Sequence, residues 1–233
     1  MSTLSLAPLP MSVFPRQLAL ALDHSESYAR EDFLSGASNE AALALIEAWP
    51  DWPARAVALI GPEGSGKTHL ATIWASAAGA RVVSGRHLGE TDVPGALATG
   101  ALVVEDAAAV TDEPALFHLI NLAREEGAFL LFTARSVPTL WPASLPDLVS
   151  RLRALPVVTL DAPDDDQLRG VLHKVAADRQ LSLDDSVVRY LLTRIERSPA
   201  AARAAVIALD KEALRQGRAP NRTLAAEMFR DGL

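Results

Sequence analysis

Gly61-Pro62-Glu63-Gly64-Ser65-Gly66-Lys67-Thr68 sits between the apolar run Val57-Ala58-Leu59-Ile60 and a segment of helical character, His69-Leu70-Ala71-Thr72-Ile73-Trp74-Ala75. Strand, glycine-rich turn and helix in that order turn the pattern GxxxxGK[ST] into a phosphate-binding loop, where an isolated match would be a surface turn. Gly61, Gly64 and Gly66 let the backbone curl until successive N–H groups point at phosphate oxygens. The helix beginning near Lys67 adds its positive dipole end. Lys67 can then reach the β- and γ-phosphates, and the Thr68 hydroxyl can ligate Mg²⁺. A nucleoside di- or triphosphate is the expected ligand, with Gly61, Pro62, Gly64, Ser65, Gly66, Lys67, Thr68 and His69 around it.

The rest of the chain fits one α/β domain with a small appendage. Its 233 residues can bury a sizeable core. A composition of 49% hydrophobic and 22% charged residues is that of a globular protein in water. There is no cysteine, which excludes disulfides, thiolate catalysis and cysteine-based zinc sites. The five histidines are scattered, with no pair at i, i+4, so a histidine metal site is not expected. No apolar run reaches membrane-spanning length. The N-terminus is broken by Pro8, Pro10 and Pro15 and lacks a basic leader, so a cytoplasmic address is expected. A net charge of −7 argues against extensive contact with nucleic-acid backbone and for protein partners.

Residues 1–15 read as a mobile arm. In Arg16-Gln17-Leu18-Ala19-Leu20-Ala21-Leu22-Asp23, leucines alternate, as in a short extended segment with one apolar face. Such a segment can dock in a hydrophobic groove of another protein, with Gln17 at the rim, or fold back as an edge strand. A helix is expected from about Ser38 to Trp49, with Ser38 as N-cap and Ala41, Ala42, Leu45 and Ile46 as its apolar stripe. A second strand is expected near 81–83 and one helix within 85–100. The strand Ala101–Val104 ends in Glu105-Asp106. After a phosphate loop, such carboxylates hold the water shell of Mg²⁺ and orient the attacking water. The next strand, 128–132, ends at Thr133, whose hydroxyl would face the γ-phosphate or its water. Ser150-Arg151-Leu152 falls in a helical turn before a fifth strand at 157–160. From Pro163 onward only helical spacing appears, with starts at Asp164 to Asp166, Asp184, Ser198-Pro199 and Thr223. That region carries 12 Lys/Arg and 11 Asp/Glu, too balanced for a basic DNA reader.

Five strands with intervening helices, a phosphate loop after the first, carboxylates after the third and a helical lid resemble the AAA+ ATPases. The expected fold is therefore α/β: a five-stranded parallel sheet sandwiched by helices, then a small all-helical lid. Phe33-Leu34-Ser35-Gly36 with Asn39 and Ala42 is similar to the opening of the DnaA-like branch. Ser150-Arg151-Leu152, followed by a strand ending Leu160-Asp161-Ala162-Pro163-Asp164, is similar to that branch's arginine-finger segment and passage to the lid. The Gln17 segment resembles the sliding-clamp-binding motif of Hda-like, DnaA-homologous regulators. On this resemblance the chain divides into an arm (1–29, motif at 16–23), a nucleotide-binding domain (30–162) and a lid (163–233).

The resemblance implies a negative regulator of replication initiation that binds ADP or ATP with Mg²⁺. It implies two partners, DnaA and the DNA polymerase III sliding clamp (beta subunit), with homo-oligomers possible, and no direct sequence-specific DNA binding and no membrane. Gln17, Leu18, Leu20 and Leu22 would hold the clamp. Arg151 would enter the partner's site as a finger in trans and promote hydrolysis of DnaA-bound ATP. Glu105, Asp106 and Thr133 would be catalytic in this chain's own site, with Thr68, Glu105 and Asp106 around Mg²⁺. The chain departs from the pattern at Ala21, where proline is usual, and at Glu105-Asp106, where Asp-Asp is commoner. It departs again at Ala200, the position of the lid arginine, so Arg203 one turn on would have to substitute. Weak self-hydrolysis is the expectation. The competing readings are a stand-alone motor or loader, a phosphate-loop kinase and a clamp adaptor indifferent to hydrolysis.

Overall fold

The structure is a computed structural model that describes residues 28–230. The Gln17–Leu22 motif and most of the expected arm lie outside the described residues. Strands β1 (Ala56–Ile60), β2 (Arg81–Ser84), β3 (Ala101–Glu105), β4 (Phe129–Ala134) and β5 (Val157–Thr159) form one sheet. Their order is β2-β3-β4-β1-β5, and every pairing is parallel.

A parallel sheet needs cover on both faces, and the side-chain alternation of its strands supplies two separate cores. Val57, Leu59, Val103 and Leu131 point to the face covered by α1 (Glu40–Glu47) and α2 (Lys67–Ala78). Ala58, Ile60, Leu102, Val104, Leu130 and Phe132 point to the other face, under α3 (Val93–Leu97), α4 (Glu113–Glu126) and α5 (Pro146–Arg153). On the first face Trp74 is fully buried and stacks on Trp52 with ring centroids 4.9 Å apart. Truncating such a side chain costs about 3–5 kcal/mol.

After β5 the chain is helical, as expected: α6 (Asp165–Asp178), α7 (Asp185–Leu192), α8 (Pro199–Gln216) and α9 (Arg222–Arg230). They share a third core around Leu168, Leu172, Val188, Leu191, Val206 and Leu209. Arg179 and Asp210 tie α6 to α8 through a mostly buried ion pair of 2.7 Å. Asp164 closes a full capping box with Gln167, and the Ser198 hydroxyl accepts from the Ala201 amide.

Several local expectations shift. Ser38 does not cap α1. Asn39 occupies that position and uses its amide on the preceding loop, donating to the Leu34 carbonyl and accepting from Gly36 N–H. The buried stripe of α1 is Ala42, Leu43 and Ile46, while Ala41 is exposed. Residues 85–90 form a 3-10 turn and the α-helix of that stretch is confined to Val93–Leu97. At α9 the side chain that takes an amide is Asn221, which accepts from Leu224 N–H, so the helix starts one residue before Thr223.

Candidate nucleotide site

In this strand order the loop after β1 and the tips of β3 and β4 meet at the carboxyl end of the sheet, where open α/β sheets take ligands. The phosphate loop requires glycine at two places. Gly66 is the N-cap of α2 at φ 101°, and Gly64 has φ 73°, both in the left-handed region closed to most side chains. A Cβ on Gly64 would also overlap the Ser198 Cβ at the start of α8, so the lid rests directly on the loop. Lys67, only 9% exposed, donates to the Pro62 carbonyl at 2.6 Å, and Ser65 Oγ lies 3.5 Å from its ammonium. Burial lowers the Lys67 pKa, and the Arg135 charge lowers it further against the opposing pull of Asp106, Glu63 and Glu105. An arriving phosphate would favour the ammonium.

One side of the cavity is polar. It is lined by Glu63, Gly64, Lys67, Thr68, Glu105, Asp106, Thr133 and Arg135. Thr68, Glu105, Asp106 and Thr133 therefore come together as the sequence suggested. The buried Thr133 hydroxyl accepts the Asp106 N–H at 3.2 Å, and Asp106 itself adopts the left-handed conformation at φ 51°. This bond fixes the bend that turns the two carboxylates over the loop. Hydroxyl and carboxylate oxygens suit Mg²⁺, which binds through one or two carboxylates, water and phosphate. Among the described residues no three His, Cys, Asp or Glu side chains converge to hold a metal by themselves. The donor set thus fits an ion held largely through phosphate and water.

Sequence reasoning missed one pair here. Arg135, two residues past Thr133, bonds Glu63 of the phosphate loop at 2.7 Å. The pair bridges the end of β4 and the loop after β1 on the polar side of the cavity. The available signal was an acidic residue inside the glycine loop, with an arginine at the tip of the neighbouring strand.

The other side of the cavity is more apolar and spans both parts of the fold. Phe33, Leu34, Asn39 and His69 face Pro163, Gln167, Val171, Ala200 and Arg203 of the lid side. The His69 ring stands edge-on to Tyr28 and Phe33, with Nε2 3.0 Å from the Ala29 carbonyl. Burial is the main cause that lowers the His69 pKa, and the nearby Arg203 charge adds to it against the Ala29 hydrogen bond. Ala200 and Arg203 both line the cavity, and Arg203 alone of the two brings charge.

Arg151 lies elsewhere. It sits in the last turn of α5 and lines neither side of this cavity. Its guanidinium lies over the Phe117 ring at 5.3 Å, and its buried Nε has no hydrogen-bond partner. No ion pair engages it among the described residues.

Residues 164–219 match the family model described as "Hda, lid domain". An uncharacterised protein of Haemophilus influenzae is 34% identical over 107 residues, 46% of this chain. The match spans 46% of that relative's length, less than half of it. Among solved structures, domain III of the Thermotoga maritima replication initiation protein DnaA is similar with a TM-score of 0.72 and 19% identity. That match covers 88% of this chain and 96% of the other. AMPPCP-bound DnaA from Aquifex aeolicus matches at TM-score 0.63 and 20% identity, over 78% and 65% of the two chains. The Thermotoga maritima RuvB branch-migration motor matches at TM-score 0.68 and 20% identity, over 86% and 70%. At such identities the structural likeness speaks for the AAA+ fold, and the lid match narrows the branch. Residues 164–219 thus match an Hda-type lid, and phosphate loop, sheet order and lid together give the chain the AAA+ fold.

Proposed function

We propose that this chain is a negative regulator of replication initiation. It binds ADP or ATP with Mg²⁺ between its phosphate loop and its lid, docks on the sliding clamp through Gln17, Leu18, Leu20 and Leu22, and promotes hydrolysis of the ATP held by DnaA. The observation that carries this reading is Arg151. An arginine outside its own nucleotide cavity, held over an aromatic ring and engaged by no ion pair among the described residues, is suited to a phosphate supplied by another molecule. Arginine keeps its charge and donates through a planar fork, which fits the charge that develops on a transferring phosphoryl group. Lys67 and the loop amides bind this chain's own nucleotide, with Arg203 reaching it from the lid. Thr68, Glu105 and Asp106 hold Mg²⁺, which supplies charge neutralisation at the phosphates, and Thr133 fixes the turn that carries Asp106. The chain works in contact with the AAA+ domain of DnaA, without sequence-specific DNA contact. No helix among the described residues is long and apolar enough to cross a membrane, and a cytoplasmic location goes with this function.

The test is hydrolysis of DnaA-bound ATP in the presence of clamp loaded on DNA. Wild type should accelerate it, and Arg151→Ala and Gln17→Ala should both return it to the rate of DnaA alone. Rapid ATP turnover by the isolated protein, with no effect on DnaA, would instead make it a stand-alone motor or loader.

A further inference from the structure

Helix α4 faces the arginine helix α5 with two side chains one turn apart, Glu113 and Phe117, which share a helix face by their i, i+4 spacing. Glu113 reaches the segment that enters α5. Its Oε2 accepts Ser144 N–H at 2.7 Å and Leu145 N–H at 2.9 Å, and its Oε1 accepts the Ser144 hydroxyl at 2.9 Å. Leu145 is the N-cap residue of α5 and has no side-chain acceptor of its own, so Glu113 supplies from outside the anchoring that this helix start lacks. These bonds, led by the Leu145 amide, hold the Glu113 carboxyl below the usual carboxylate range, the mark of an acceptor engaged in its ionised form. At the far end of the same short helix, Phe117 lies under the Arg151 guanidinium.

We propose that Glu113 and Phe117 are positioning residues that aim Arg151 at a phosphate oxygen of a partner-bound nucleotide. Glu113 fixes where α5 begins, and Phe117 fixes where its arginine points. The inference rests on the reading of Arg151 as a finger and adds to it the device that holds the finger ready. A guanidinium has wide rotamer freedom, and a ring face beneath it removes much of that freedom before the partner arrives. The ring face offers no competing carboxylate, so among the described residues the guanidinium is held without being paired. An ion pair in the same place would hold the arginine equally well and compete with the partner. The aromatic platform orients without competing.

The experiment titrates the full-length protein into ATP-bound DnaA with clamp on DNA, and separates the saturating rate from the half-saturating concentration. Phe117→Leu and Glu113→Ala should each lower the saturating rate by about ten- to a hundredfold, the range expected when a reacting group is misplaced by about an ångström. The half-saturating concentration, nucleotide affinity and melting temperature should stay near wild type. Phe117→Tyr restores the ring face, and Glu113→Gln restores the acceptor, so both should recover most of the rate. A general packing defect would lower melting temperature and show no such rescue. The Arg151 Nε–H resonance should also be shifted upfield by the Phe117 ring in the isolated protein and lose that shift in Phe117→Leu. If Arg151→Ala abolishes stimulation while Phe117→Leu and Glu113→Ala are fully active at saturation, the positioning inference is wrong and the finger reading survives. If Arg151→Ala is itself fully active, the finger reading falls and takes this inference with it.

Discussion

Gly64→Ala offers a quantitative test of how the lid sits on the phosphate loop. The substitution acts in two ways. It places a Cβ on a residue at φ 73°, a conformation that costs a non-glycine residue about 1–2 kcal/mol. It also drives that Cβ into the Ser198 Cβ, with the Ser198 Cα next at 3.4 Å, so no flexible side-chain end can swing aside. Overpacking of this kind costs about 1–3 kcal/mol. Together the two effects reach about 2–5 kcal/mol against the closed arrangement, and at about 1.4 kcal/mol per tenfold the affinity for ADP should fall at least about thirtyfold. The two parts are separable. Ser198→Gly removes the atom that the added methyl group would strike and costs a helix cap only a few tenths of a kcal/mol. The double variant should therefore regain the steric part and keep a loss of about tenfold from the backbone alone. Gly79→Ala is the control, because Gly79 has φ 62° with nothing within 4 Å of an added Cβ. It should lower the melting temperature and leave ADP affinity alone. Calorimetric titration of ADP into wild type and these variants decides the matter. Equal affinities for Gly64→Ala and the double variant would refute the claim that the lid bears on the loop at Ser198.

Three further outcomes follow from the site. Lys67→Ala should abolish detectable nucleotide binding by the same titration while the fold persists by circular dichroism, because the buried ammonium hydrogen-bonds inside the loop and is replaced by a smaller neutral group. Glu63→Gln should free Arg135 and remove one negative charge from the polar side of the cavity. Affinity for ATP should then rise relative to ADP, by up to about fivefold for an exposed pair worth up to about 1 kcal/mol; an unchanged ATP-to-ADP ratio would show that the pair does not bear on a third phosphate. For His69 the folded pKa lies below 6.5, so above pH 6.5 the ring is neutral in both states and carries no penalty. As pH falls through the window between 6.5 and that lowered value, the unfolded state binds more protons and stability drops. The melting temperature should decline as pH falls below about 6.5 in wild type and decline less in His69→Gln; equal slopes would count against this origin.

The parts of this molecule that could be read in advance are those in which a residue type and its sequence neighbours fix the geometry. The phosphate loop is such a part, since strand, glycines, Lys67 and Thr68 are contiguous. So are the strand tips at Glu105-Asp106 and Thr133, where an apolar run stops at a polar group. The lid helices announced themselves through Asp164 and Ser198, whose side chains do cap. What stayed hidden depends on atoms brought from far along the chain. Ser38 looks like a cap, yet its hydroxyl donates to Gln167 of the lid at 2.6 Å, 129 positions away. Glu63 and Arg135 meet because β4 and β1 are neighbours in the sheet, which no local pattern reveals. Glu113 reads as an ordinary first-turn acid of α4, and its bonds to Ser144 and Leu145 appear only once α5 is folded beside it.

The long-range contacts have a common direction, which bears on how nucleotide and lid are linked. The short segment before α1 touches both halves of the fold. On the core side, Tyr28 and Phe33 pack edge-on to His69, in the first turn of the helix that leaves the phosphate loop. On the lid side, Asp32 pairs with Lys174 at 2.5 Å, and the two side chains are only 14% and 28% exposed. The Asp32 hydrogen bond is the main cause that raises the Lys174 pKa, so the pair stays charged through neutral pH and loosens only on the alkaline side. Leu34 lies against Gly170, and Gln167 fills the space beside Gly36, where any side chain would displace it. Because Leu34, Gln167 and His69 also line the cavity, a bound base would contact the segment, the lid and α2 together. A lid that swung away would have to break the Asp32–Lys174 pair and the Ser38–Gln167 bond, and a ligand bridging both walls opposes that motion. On the proposed function, nucleotide binding and lid closure would be one equilibrium, each stabilising the other by the same free energy.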